Sequence, residues 1–127
     1  MLVRMLNRQL VLKFWLPVVL CMGFIFYISS VSGKDLPEII VRQDMLFRFS
    51  IYHSCVYLVL GYLFRRALKN TYPDMAAKKV FLITVLFGVL YGVTDELHQV
   101  FVPYRTVSVL DVFNDGVGSF LGSLIYR

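Results

Sequence analysis

Charge is scarce in this chain, and that scarcity is the first constraint on what it can be. Asp, Glu, Lys and Arg make up 17% of 127 residues, 58% are hydrophobic, and the mean hydropathy is +0.70. A water-soluble domain of this size needs a far more polar surface, so the composition predicts a surface turned to lipid. The length leaves room for one domain, spanning 1–127, and for no separate catalytic module. Internal repeats and low-complexity segments are missing. A basic stripe is missing too: the net charge of +5 comes from short clusters between apolar runs, which argues against nucleic acid as a partner. Cysteine is limited to Cys21 and Cys55, both inside apolar runs. They read as small buried hydrophobes rather than a disulfide or metal pair, and leave the redox compartment open.

What is present is a set of apolar runs. Phe14 to Val31 gives 18 uncharged residues, close to the roughly 20 that cross a hydrocarbon core. Arg4, Arg8 and Lys13 precede it as in a secretory signal, and Ser29 to Gly33 imitates a cleavage site. The run exceeds a signal core and carries polar residues like those of later runs, so an uncleaved span is expected. Further spans are expected at about 49–66, 79–98 and 108–126, the second short enough that its flanking arginines must snorkel. Asn70 to Asp74 and the residues around Pro103 mark turns, and Ser108 with Asp111 has the spacing of a capping box. The fold class predicted is all-α, a four-helix integral membrane bundle.

Lys and Arg set its orientation. Nine lie at the N-terminus, in the loop after span two (Arg65, Arg66, Lys69, Lys78, Lys79) and at Arg127. Four lie on the other side, Lys34, Arg42, Arg48 and Arg105, three of them in a loop shared with Asp35, Glu38 and Asp44. The positive-inside rule then puts both termini in the cytoplasm.

This orientation gathers the polar residues. Ser29, Ser30 and Ser32 end span one, His53 starts span two, Asp95, Glu96, His98 and Gln99 end span three, and Asp111 and Asp115 start span four. Both histidines and four of the eight carboxylates are therefore expected at one depth, near the outer face. Helical spacing draws stripes: His53, Tyr57 and Gly61; Tyr91, Asp95 and His98, with Gln99 beside them and Glu96 further round; Asp111, Asp115, Gly118 and Gly122. The last stripe is acidic at one end and smooth deeper in, so Gly61, Gly118 and Gly122 are read as helix-packing positions. Ionisable groups within a span face the bundle interior or a wet cavity, so the stripes are expected to face each other.

Together these residues resemble the VanZ-like family of bacterial membrane proteins. The resemblance rests on Tyr91-Gly92-Val93-Thr94-Asp95-Glu96-Leu97-His98-Gln99, Phe101-Val102-Pro103-Tyr104-Arg105, and Ser108-Val109-Leu110-Asp111 with Asp115, Gly118 and Gly122. The Ser29-Ser30 pair and His53, Tyr57, Leu60 and Gly61 add to it, so it covers roughly 14–126. It departs at Phe49-Ser50, where the family often carries Asp-Lys or Arg-Lys, although Arg48 is near. It departs again at Pro103-Tyr104-Arg105, where the family usually reads Pro-Gly-Arg, so this turn is expected not to depend on glycine. The resemblance implies a four-helix protein of the bacterial cytoplasmic membrane linked to the cell envelope; the founding member is associated with teicoplanin resistance. Some relatives are labelled acyltransferases, and nothing in these residues supports that label.

Two chemical readings of the polar end stand side by side. Two histidines and four carboxylates at one depth suit a divalent cation or proton transfer, with Asp95, His98 and Asp111 as the candidate catalytic residues. His53, Tyr57, Tyr91, Glu96, Gln99, Arg105 and Asp115 complete a candidate pocket for a lipid-linked or cell-wall precursor. No His-Glu-x-x-His or other metal signature occurs, so no cofactor is evident and the metal is unassigned. The alternative is a structural or accessory subunit whose polar residues pin helix packing. A transporter is the weakest reading, because four short spans without repeats leave little room for alternating access. Arg105 is expected to pair with Asp111 in preference to a phosphate head group, and Glu96 to cap against Arg48 or face a neighbouring helix. Tyr27, Tyr57 and Tyr91 read as packing or interfacial aromatics, Trp15 and Tyr126 as belt residues. Oligomeric state is not written in the sequence.

Overall fold

A computed structural model describes residues 8–35 and 46–126, with 46–50 described by backbone alone. Arg4, Glu38, Arg42, Asp44, Arg127 and the side chains of Arg48, Phe49 and Ser50 lie outside the described residues. Four helices and no strand occur among those described: α1 (Arg8–Ser30), α2 (Leu46–Thr71), α3 (Ala77–Gln99) and α4 (Val109–Ile125). By length and hydropathy α1 and α3 are long and apolar enough to cross a membrane.

Each helix outruns or closely matches its apolar run, because charge does not stop a helix. Past Arg65 and Arg66, α2 continues to Thr71, where the Tyr72-Pro73 turn ends it. Within α1, Val11–Trp15 forms a single π turn in which the Leu16 N–H reaches back to the Val11 carbonyl. Pro17 explains it: the residue has no N–H, and its ring would crowd the Lys13 carbonyl four residues earlier. At the start of α4, Ser108 is the N-cap, its hydroxyl accepting the Leu110 N–H at 3.2 Å. The expected capping box closes differently, since the Ser108 N–H donates to Glu96 Oε2 of α3 at 2.9 Å rather than to Asp111. A neighbouring helix supplies the carboxylate that the box needs.

Contacts between helices follow an up-down-up-down order. Gly88 faces Ser119 and Gly92 faces Asp115, so α3 and α4 run antiparallel. Gly118 meets the backbone of Ser54 and Gly122 that of Leu58, so α2 and α4 run parallel, backbone against backbone. A Cβ added at Gly61, Gly118 or Gly122 would strike the main chain of the partner helix, which is why close approach needs glycine there. The core is aromatic: Phe64 stacks on Phe87 at 4.0 Å, Trp15 meets Phe64 edge-on, and Trp15 Nε1 donates to Thr71 Oγ1 at 2.8 Å. Trp15 is thus tied to α2, and Tyr126 meets Tyr62 and receives a bond from Asn70. Arg65, rather than only snorkelling, donates to the Ser123 carbonyl near the end of α4, where a positive charge suits the helix dipole.

The exterior is apolar. Leu82, Leu86, Leu90, Val93 and Leu97 form an exposed stripe on α3, and Phe113, Phe120, Leu121 and Leu124 one on α4. Cys55 belongs to such a stripe with Ile51 and Val59, so it is exposed rather than buried; Cys21 is half-buried, and both are free thiols. In the turn after α3, Tyr104 adopts φ +60°, a left-handed conformation that favours glycine. This corrects the expectation from sequence: the backbone keeps a glycine-type geometry although tyrosine occupies it. The Tyr104 ring lies under Lys34 Nζ at 4.0 Å, and the Gly33 N–H donates to the Pro103 carbonyl at 3.1 Å.

Candidate functional site

One end of the bundle collects the end of α1, the start of α2, the end of α3 and the start of α4. His53, Asp95, Glu96, Gln99, Asp111 and Asp115 are all buried there, although the surrounding surface is apolar. Helix geometry brings this about, because the residues stand on inward faces at matching heights of an up-down bundle.

The histidine–carboxylate contact is between α2 and α4. His53 Nδ1 lies 3.0 Å from Asp115 Oδ1, with Asp115 fully buried. Gly92 makes room for that carboxylate, since a Cβ there would sit 2.6 Å from Asp115 Oδ2. On α3, Asp95 accepts from Ser29 Oγ at 2.5 Å and from Gln99 Nε2 at 3.2 Å, and Gln99 also reaches Ser29 Oγ at 3.3 Å. Glu96 Oε2 accepts from the Ser108 N–H at the start of α4. Asp95 and Glu96 are adjacent in sequence, and a helix rotates adjacent side chains by about 100°, so they serve different neighbours.

The site residues expected from sequence are not all drawn into one group. His98 lies 2.9 Å from Ser30 Oγ by its Nε2 and stacks on Phe26 at 4.5 Å. Asp95 and His98 thus each contact a different serine of α1 rather than forming the base and orienting carboxylate that their spacing suggests. Asp111 is buried at the first turn of α4. Tyr91 donates its hydroxyl to the Met22 carbonyl at 2.7 Å, while Tyr57 is buried with a hydroxyl that finds no hydrogen-bond partner. Tyr27 is exposed. Arg105, for which sequence favours Asp111, instead donates to two carbonyls at the end of α1, from Nη2 to Ile28 at 2.5 Å and from Nε to Val31 at 3.1 Å. Burial lowers the pKa of this guanidinium, and the charges of Asp95 and Glu96 oppose the change. An arginine pKa starts high enough that the group keeps its charge.

A small cavity of about 20 Å³ opens among Ser29, Tyr52, His53, Asp95, Gln99 and Arg105, floored by Ile25 and Ile28. That volume suits one water-sized ligand. His53, Asp95 and Glu96 each offer a ligand atom, and the three atoms lie within 4.8 Å of one another. Tyr52 is the participant that sequence reasoning missed, together with the role of Gly92, which it quoted only within the family motif. Gly88 and Gly92 carried a readable signal, small residues four apart on α3.

A family model described as VanZ/LLP1 matches residues 14–127. Neither a curated protein nor a solved structure matches the chain. The family match runs from the apolar part of α1 through α4 and takes in every residue of the polar end, so the chain belongs to the VanZ/LLP1 family.

Proposed function

We propose that this VanZ/LLP1-family chain is a multi-pass protein of the bacterial cytoplasmic membrane, both termini cytoplasmic. All four helices span, and the polar end works at the outer face on envelope lipid, cell-wall precursor or glycopeptide chemistry. One observation carries the reading: four carboxylates and an imidazole are buried at one end of a bundle whose exterior is apolar. Ionisable groups inside a membrane are expensive and are retained where they bind or move something. The exposed stripes on α3 and α4 suit acyl chains, and the Lys and Arg bias suits this orientation.

A second reading, a structural or accessory subunit held together by these residues, is favoured by the size of the cavity. About 20 Å³ does not admit a sugar or a head group, and both oxygens of Asp95 are hydrogen-bonded within the protein.

Alanine at Asp95, His98 or Asp111, with insertion and glycopeptide or envelope-stress sensitivity both measured, separates the two. A working site predicts normal insertion with lost function for Asp95→Ala and Asp111→Ala. A packing network predicts lost insertion in all three, and tolerance of apolar replacements of similar shape.

A further inference from the structure

We propose that His53, Asp95 and Glu96 bind one divalent first-row transition-metal cation, Zn²⁺ or Mn²⁺. This rests on the reading above of the polar end as a working site and names its ligand.

Geometry comes first. The three candidate ligand atoms lie within 4.8 Å of one another and come from two helices. A tetrahedral ion with bonds of about 2.1 Å separates its ligand atoms by about 3.4 Å, so each side chain needs to move inward by less than about 1 Å. The cavity that His53 and Asp95 help to line has room for one water beside them, which suits three protein ligands and an open fourth position.

The supporting contacts are of the kind that orient metal ligands. A ligating histidine characteristically donates its other ring N–H to a carboxylate, and His53 Nδ1 sits 3.0 Å from Asp115 Oδ1. Asp95 is held by Ser29 and Gln99, and Glu96 Oε2 by the Ser108 N–H.

An independent observation points to a ligand. Glu96 is 3% exposed, and its second oxygen, Oε1, is buried with no hydrogen-bond partner. Capping α4 occupies Oε2 only and gives no reason for an orphaned carboxylate oxygen, which is costly to bury. A cation satisfies it. A divalent charge also offsets the crowding of Asp95, Glu96, Asp111 and Asp115 around Arg105 and His53. The nitrogen in the set disfavours Mg²⁺ and Ca²⁺, which take oxygen shells; imidazole suits Zn²⁺, and the two carboxylates extend the class to Mn²⁺.

The test uses the full chain purified in detergent, stripped with chelator, and titrated with ZnCl₂ or MnCl₂. Bound metal is measured by elemental analysis after desalting, alongside thermal unfolding. Wild type is expected to retain one ion per chain and to unfold at higher temperature with it. Glu96→Gln and His53→Gln should lose both effects at unchanged helicity. Asp115→Asn should weaken binding by roughly 10- to 100-fold. Cys21→Ser with Cys55→Ser should leave binding intact, which excludes capture by thiols. The proposal is overturned by a wild type that holds no stoichiometric metal, by Glu96→Gln binding as well as wild type, or by loss of binding in the cysteine variant. If a ligand variant misfolds, the wild-type titration still decides. Metal-free wild type together with lost cellular function in Asp95→Ala refutes the cation alone and leaves the working site standing.

Discussion

His53 and His98 are the same side chain near the same end of the bundle, and their neighbours make them different. His98 shares a helix face with Asp95, but that face looks at α1, where Ser30 takes the imidazole and Ser29 the carboxylate. His53 finds its carboxylate across a helix interface, at Asp115. Arg105 shows the same dependence, since its fork is matched by the Ile28 and Val31 carbonyls at the end of α1, the first of which also accepts the Val31 N–H. Arg105→Ala is therefore expected to destabilise the protein by about 1 kcal/mol, the cost of removing a charged donor from half-buried acceptors. Arg105→Lys should recover only part, because an ammonium lacks the planar fork. Reversible unfolding in mixed micelles reads both variants.

At the scale of elements, small residues decide which helices touch. Gly118 and Gly122 let α4 rest on the main chain of α2, and Gly88 and Gly92 let it rest on α3 with Ser119 and Asp115 inserted. The sequence displays Gly118 and Gly122 on one stripe with the acids, so their exposure to a neighbour is legible. Which helix they meet is not, because α2 and α4 are separated in sequence by the whole of α3. A methyl group at Gly122 points into the backbone around Leu58, which cannot move as a side-chain tip can. Gly122→Ala is expected to cost ~1–3 kcal/mol by overpacking and to raise the fraction of protein lost from the membrane. Quantifying folded protein after mild detergent extraction checks this. If Gly122→Ala matches wild type, the close approach of α2 and α4 is wrong. The π turn before Pro17 and the capping of α4 by Glu96 are further cases in which one residue sets a local geometry.

Across the whole molecule, polarity is inverted at one end, with leucine and phenylalanine exposed on the outside while serine, aspartate and glutamate are buried beside the apolar core. This arrangement is stable in lipid and unstable in water. The topology proposed above puts the loop between α2 and α3, with Arg65, Arg66, Lys69, Lys78 and Lys79, in the cytoplasm. A single cysteine placed at Asp74, in a chain with Cys21 and Cys55 replaced, should resist an impermeant thiol reagent in intact cells and react after permeabilisation. Labelling in intact cells would reverse the orientation and move the polar end to the cytoplasmic side.

The sequence by itself determined the helices and the end of the bundle at which the ionisable residues gather. Hydropathy, helical periodicity and turn residues are local properties, written within a few residues of where they act. Tertiary structure alone decided that His53 rather than His98 meets a carboxylate, that Glu96 rather than Asp111 closes the cap on α4, and that Arg105 binds the end of α1. Those partners are 12 to 77 residues apart, and which of them meet depends on the rotation and height of packed helices. A helix turned by one residue, about 100°, exchanges one partner for another while leaving the local pattern unchanged.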